Sequence, residues 1–291
     1  MKNTLILLFL ALGALSYGQK NKAKQAETNT AKPFVLGVID EIQSKELGEK
    51  RIVNIYLPQG YNPADSVKYP VIYLLDGSAD EDFIHVAGLV QFYNFEWVNQ
   101  VPKSIVVGIA SVDRQRDFTF PSTHEDQKKG RFVNTGHSDK FIAFIEKELQ
   151  PFMAAKYKAN TDKTLIGQSL GGLLATDILL KKPGMFNRYI IISPSLWWDY
   201  GSLLELNSAL LSEGYNKPTD IYIGVGKEGL TPTDPARVME VDANLLADKL
   251  KGAKNPNVKV HFDYLPLENH ATIMHQAVMN AFHLLYTVPK E

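Results

Sequence analysis

Short runs of β-branched and other apolar residues alternate along this chain with longer segments whose apolar positions recur every three to four residues. That alternation predicts a mostly parallel sheet with helices on both faces. Tyr69-Pro-Val-Ile-Tyr-Leu-Leu-Asp-Gly77 is a continuous apolar run ending in Asp-Gly, as expected of a strand buried on both sides, and Ser104 to Ala110 is a second such run. Tyr189 to Ile192, Ile221 to Val225 and Val258 to Tyr264 read as three further strands. Between Ser138 and Tyr157, Phe141, Phe144, Ile145, Leu149, Phe152 and Met153 keep helical spacing, and Ser138 is placed to cap the start. Helical segments are also expected at Leu203 to Leu211, Val238 to Leu250 and Ala271 to Tyr286. Ahead of all these, Phe34 to Ile42 and Arg51 to Leu57 pair through the Gly48 region as an antiparallel opening, followed by turn residues at Gln59 to Pro63.

The N-terminus departs from this pattern. Met1-Lys2-Asn3 is followed by an apolar stretch from Thr4 to Leu15, too short to span a bilayer comfortably, and then by the small residues Ser16 and Gly18. It reads as a secretory signal peptide over residues 1–18, with Gln19 as the mature start. Residues 19–33, polar and rich in Lys, Ala, Asn and Thr, read as a disordered lead-in. Residues 34–291 then make one α/β domain, a size at which such folds commonly keep a single core. The expected location is periplasmic or secreted, with no stable membrane insertion after cleavage. There is no cysteine, so the exported chain has neither disulfides nor a cysteine for lipid attachment. A formal charge of -1 without long basic runs disfavours nucleic acid as a partner.

Candidate chemistry centres on Lys163-Thr-Leu-Ile-Gly-Gln-Ser-Leu-Gly-Gly-Leu-Leu-Ala-Thr176. An apolar strand turns there through Gly-x-Ser-x-Gly into an apolar helix, the pattern of a nucleophile elbow with Ser169 at its tip. Gly167 and Gly171 would relieve crowding across the turn, and Gly172 would let helix and strand pack closely. A serine hydroxyl is a weak nucleophile, so it needs a base and an acid that fixes the base's tautomer. Of the seven histidines, His270 alone falls in a loop after the last predicted strand and before the last helix. His275 lies inside that helix. Glu228, at the end of the Ile221 strand, is the preferred acid, with Asp234 in a Thr-Pro-Thr-Asp-Pro turn and Asp242 on a helix surface as rivals. Two backbone N–H groups should bind the oxyanion, one from Leu170 and one from the Asp76-Gly77-Ser78 turn, where Ser78 is preferred over Gly77. No histidine pair has zinc-ligand spacing, and no metal or organic cofactor is required.

On the residues Val71-Ile-Tyr-Leu-Leu-Asp-Gly77, Arg114-Gln-Arg-Asp-Phe-Thr119, Ile166-Gly-Gln-Ser-Leu-Gly-Gly172, Ser193-Pro-Ser-Leu-Trp-Trp-Asp199 and the segments around Glu228 and His270, the chain resembles the putative esterase family of α/β hydrolases. That family holds esterase D, feruloyl esterases and enterochelin-type siderophore esterases, and the likeness is to its periplasmic siderophore-esterase branch. It implies Ser169 as nucleophile, His270 as base and Glu228 as acid. Many relatives follow Arg-x-Arg-Asp with Thr-Pro, whereas Phe120 intervenes here between Thr119 and Pro121. The expected activity is an exported serine esterase on a small-molecule or glycan-linked ester, with siderophore esters and acetyl or feruloyl groups on polysaccharides as rival substrates. Acyl transfer and non-catalytic binding on the same fold are the alternatives. Arg114, Arg116 and Lys227 are candidate counter-charges for an anionic substrate, with structural ion pairing as their other reading. Trp197 and Trp198 are candidate walls for an aromatic or sugar group, with core packing as theirs. The oligomeric state is not set by these features.

Overall fold

The alternating faces of two central runs show how the sheet is built. Val71, Tyr73 and Leu75 enter one apolar core while Ile72 and Leu74 enter another, and Ile105, Val107 and Ile109 separate from Val106 in the same way. Each strand is thus apolar on both faces, which requires helices on both sides of the sheet.

The computed structural model describes residues 31–124, 132–231 and 233–286, so the expected signal peptide and most of the expected lead-in lie outside the described residues. One compact unit begins at Leu36; of the other, Met1–Val35, the described residues 31–35 form no helix or strand. The strands are β1 (Val38–Gln43), β2 (Lys50–Tyr56), β3 (Tyr69–Leu74), β4 (Ile105–Ile109), β5 (Ala159–Gln168), β6 (Arg188–Ile192), β7 (Thr219–Gly226) and β8 (Val258–Leu265). They form one eight-stranded sheet in the order β1-β2-β4-β3-β5-β6-β7-β8. β2 is antiparallel to both its neighbours, and every pair from β4 through β3 to β8 is parallel. The antiparallel opening and the parallel body expected from the sequence are both present.

Helices α1 (Phe83–Tyr93) and α8 (Ile273–Leu285) supply one core, burying Val86, Val90, Ile273, Ala277 and Phe282 among others. The second core lies under α5 (Leu170–Lys181), α7 (Met239–Gly252) and a long helical segment from Ser138 to Lys156. That segment is α3 (Ser138–Phe144), a π-helical turn over Ile145–Leu149, and α4 (Gln150–Lys156). The periodicity names no element between Gly77 and Ser104, yet α1 forms there because Phe83, Val86, Ala87 and Val90 fall on one helical face. A short α2 (Arg114–Phe118) is capped by the Asp113 carboxylate, which accepts from Arg116 N–H at 3.0 Å.

One expected helix is broken. α6 covers only Ser202–Glu205; Leu206 takes extended backbone, and the Ser208 hydroxyl accepts from Leu210 N–H to cap a separate 3-10 turn, Ala209–Leu211. A serine's short side chain competes with helix continuation by bonding its own backbone, so the run of leucines across it misleads.

Candidate active site

Ser169 sits between β5 and α5 with φ 59° and ψ −119°, a conformation that L-residues avoid. Its backbone is held on both sides: Ser169 N–H donates to Ile192 C=O at 3.0 Å, and Ser169 C=O accepts from Ser195 N–H at 3.0 Å and Leu173 N–H at 2.9 Å. The turn is possible because a Cβ on Gly167 would stand 2.4 Å from the Gly171 carbonyl oxygen. At Gly171 itself the nearest atoms would be 3.4 Å away, so the backbone of Gly171, not its missing side chain, creates the constraint. Gly172 meets Ile192 and Pro194 closely, as the packing argument expects, with a Cβ there 2.9 Å from each.

The end of β7 and the loop after β8 bring the other two residues together. His270 Nδ1 and Glu228 Oε2 are 2.6 Å apart, with the Glu228 side chain 1% exposed and the imidazole 45% exposed. The same loop is tied to the elbow, since Gln168, the residue before Ser169, donates its side-chain amide to the His270 C=O. Glu228 Oε1 accepts from the Ser193 hydroxyl, so both carboxylate oxygens are bonded. Burial acts most strongly on this carboxyl and favours its neutral form, but the hydrogen bonds from His270 and Ser193 outweigh it and hold the pKa below 4.5. The Glu240 carboxylate on α7 accepts the N–H groups of Glu228 and Gly229 at 2.8 and 3.1 Å, fixing the acid's backbone.

Two serines flanking Pro194, in a segment that carries the family resemblance, have no site role in the sequence reading. Ser193 is fully buried with φ 40° and donates its N–H to Gly224 C=O at 2.7 Å. Ser195 places its hydroxyl 3.4 Å from that of Ser169. The signal for them is the polar Ser-Pro-Ser that follows the buried run Tyr189 to Ile192, in a position where strand ends carry chemistry.

Of the two expected oxyanion donors, Leu170 N–H heads α5, where helical amides have no intrahelical acceptor. Gly77, the second choice in the other turn, is removed as a donor because its N–H bonds Ile109 C=O at 3.0 Å. Ser78 N–H is 3.3 Å from Glu81 Oε2, a long contact that leaves the preferred donor only weakly engaged. The turn is shaped by Asp76, at φ 53°, whose Oδ1 accepts from Arg114 Nε and Ser111 Oγ, each at 2.9 Å. Burial raises the Asp76 pKa even against these donors.

Several candidates settle elsewhere. Trp198 is fully buried and donates its indole N–H to Phe120 C=O at 2.8 Å, so it is core and not a substrate wall. Trp197 is 6% exposed, with its ring 5.6 Å from Phe132, and also packs inward. Arg116 bonds Asp117 at 2.7 Å and Glu49 at 2.6 Å, which makes it the structural ion pair of its alternative reading. Arg114 does lie at the elbow, with Nη2 3.4 Å from Gln168 C=O, but its charge is already paired with Asp76. Lys227 is exposed beside Glu228. Asp242, expected on a helix surface, is on α7 but only 2% exposed, where Arg237 pairs with it at 2.6 Å. Asp234 is exposed in its loop, and His275 lies on α8 with its ring 4.8 Å from that of His85. Among the described residues, no three His, Asp or Glu side chains group as metal ligands.

The arrangement has close counterparts. Residues 44–271 match the family described as "Putative esterase". The chain is 27% identical over 266 residues to the ferri-bacillibactin esterase BesA of Bacillus subtilis (strain 168), covering 87% of this chain and 91% of that protein. Among solved structures, an IroE-like serine hydrolase from Shewanella oneidensis superposes with a TM-score of 0.75 at 31% identity, over 86% of this chain and 80% of that one. The BES protein from Bacillus cereus superposes with a TM-score of 0.76 at 27% identity, over 89% and 98% of the respective chains. With its sheet order, its strained elbow serine and a family match over most of its length, this chain belongs to the Putative esterase family of α/β hydrolases and is an esterase.

Proposed function

We propose that the protein is an exported serine esterase that cleaves siderophore-type esters through Ser169, His270 and Glu228. The observation that carries the triad is the 2.6 Å bond between His270 and a buried, doubly bonded Glu228, on a loop joined by Gln168 to the elbow of Ser169. Glu228 fixes Nδ1 as the protonated nitrogen of the resting imidazole, leaving Nε2 to accept the serine proton. Ser169 Oγ then attacks the ester carbonyl, and its proton passes to His270. The negative charge on the carbonyl oxygen is bound by the N–H groups of Leu170 and Ser78. Collapse expels the alcohol, which takes the proton from His270, and leaves an acyl group on Ser169. Water, deprotonated by His270, attacks the acyl carbon and releases the acid and free serine.

The siderophore class is supported by the likeness to the ferri-bacillibactin esterase of Bacillus subtilis, which extends over nearly the whole chain. Arg114 is the candidate cation nearest the elbow, and an anionic substrate would compete for it with Asp76. Export rests on the apolar N-terminal stretch of the sequence.

The test compares the mature protein with Ser169→Ala on a short-chain p-nitrophenyl ester, a ferric triscatecholate trilactone and a feruloylated sugar. The expected result is turnover of the trilactone ahead of the sugar ester, abolished by the substitution. Faster turnover of the feruloylated sugar would move the substrate class to polysaccharide esters. Activity that survives Ser169→Ala would overturn the triad. Mass spectrometry of the mature N-terminus is expected to find Gln19 first.

A further inference from the structure

The two edges of the sheet differ in how they meet solvent. Among the described residues β8 has a strand partner on one side only, so its outer row of backbone N–H and C=O groups is open to pairing. Its side chains separate cleanly by face. Val258, Val260 and Phe262 pack toward the core under α7, whereas Asp263 accepts from Asn280 of α8 and from Tyr222, each at 2.7 Å, which puts Lys259, His261 and Asp263 on the α8 side.

We infer that β8 is a self-association surface, on which a second copy of this chain pairs antiparallel in the register that sets His261 opposite its own counterpart. A two-fold axis normal to the sheet keeps α7 on the side of the partner's α7, so opposed residues must share a face, and only registers displaced in steps of two need comparison. In the register centred on His261, each Lys259 stands opposite the partner's Asp263, Val260 opposite the partner's Phe262, and Val258 opposite the partner's Tyr264. Both copies gain the same contacts, so the strand is complementary to itself in charge and in apolar character. A step in one direction sets Lys259 against the partner's Leu265, and a step in the other sets Asp263 against the partner's Asn257. Neither alternative joins the two charges.

The flank of the strand has the same character. A groove of about 540 Å³ lies between α7 and β8, and Val241, Leu245 and Tyr264 on its walls are 52%, 47% and 45% exposed. The two-fold axis would bring the partner's α7 over it and cover this apolar surface. The opposite edge offers no such match. β1 reads Val-Ile-Asp-Glu-Ile-Gln with no basic residue, so any self-pairing there leaves Asp40 and Glu41 without a cation from the partner, and both already bind lysines of their own chain, Asp40 to Lys156 and Glu41 to Lys50.

The absence of cysteine makes the register directly readable. Full-length mature protein should sediment as a dimer at tens of micromolar. Lys259→Glu, a change of an exposed side chain that faces the partner's Asp263, should weaken the dimer at least tenfold while esterase turnover and melting temperature stay at wild-type values. A single cysteine placed by His261→Cys meets its own copy at the axis and should cross-link two chains on oxidation. One placed by Lys259→Cys, some four residues along the strand from its counterpart, should not. A monomer at 100 µM, a dimer unaffected by Lys259→Glu, or equal cross-linking at the two positions would overturn the inference.

Discussion

Two carboxylates are buried to nearly the same degree in this protein, and they are held in opposite ways. Asp117 is 1% exposed and bound by two permanent cations, Arg51 and Arg116, with Arg51 itself fully buried over the ring of Phe141. Glu228, whose side chain is 1% exposed against 2% for that of Asp117, has no arginine or lysine among its hydrogen-bond partners in the described residues: its oxygens take a serine hydroxyl and a histidine. A carboxylate paired with arginines faces partners of fixed charge, because guanidinium does not lose its proton. A carboxylate supported by neutral donors keeps its charge available to a group that gains a proton in the course of reaction. The first arrangement suits the fold and the second suits the proposed chemistry, and burial alone would not tell them apart.

Substitution should separate the two most sharply at the proposed nucleophile. Ser169→Ala touches neither carboxylate, and kcat is expected to fall by about ten-thousandfold or more with the melting temperature unchanged, read from steady-state rates and calorimetry. Glu228→Gln keeps the shape of the acid but removes its charge and its preference for one imidazole tautomer. Its kcat should fall on the order of a thousand- to ten-thousandfold in a protein that still folds.

Asp117→Asn should show the reverse. Arg51 would keep only its ion pair with the more exposed Glu49 at 2.6 Å, and losing the buried partner is expected to cost up to about 3–5 kcal/mol in urea unfolding, with activity per folded molecule close to wild type. Should this variant lose activity while keeping its stability, the division between the two carboxylates would be wrong. Trp198→Phe, which removes an indole N–H and leaves the Phe120 carbonyl buried and unpaired, should cost about 1–3 kcal/mol and leave KM for the ester unchanged. The smallest effect is in acid. Because the Glu228 pKa is held below 4.5 in the folded protein, its contribution to stability is complete above pH 4.5 and declines as pH falls through the depressed value. Glu228→Gln should therefore flatten part of the acid limb of a melting-temperature profile.

What was legible beforehand follows from how local each signal is. Ser169 and its turn were readable because the elbow is written in consecutive residues, and His270 because the loop between a last strand and a last helix is a position in chain order. Glu228 was readable in the same way, as the acidic residue just past the end of β7. The partners of Glu228 were not. Ser193 reaches it across two adjacent parallel strands, and nothing in Ser-Pro-Ser announces which neighbour its hydroxyl will face. The tryptophans misled because an aromatic pair just past the end of a central strand has the same composition whether it lines a cleft or fills a core. The decisive fact, the indole bond to Phe120, joins residues far apart in sequence. The fold class was legible for the opposite reason: a two-sided apolar strand repeated through the chain admits few other architectures.

The contact between Gly77 and Gly108 carries a consequence for how such an enzyme can change over generations. A Cβ at Gly77 would stand 2.3 Å from Gly108 Cα, and one at Gly108 would stand 2.3 Å from Gly77 O. Each position therefore forbids a side chain at the other, and no smaller residue exists with which either could compensate. The backbone beside Ser78, the proposed oxyanion donor, is pinned to β4 by a pair of sites closed to drift. Variation toward new esters is then expected away from this contact, around Arg114 and in the loops that follow β6 and β7.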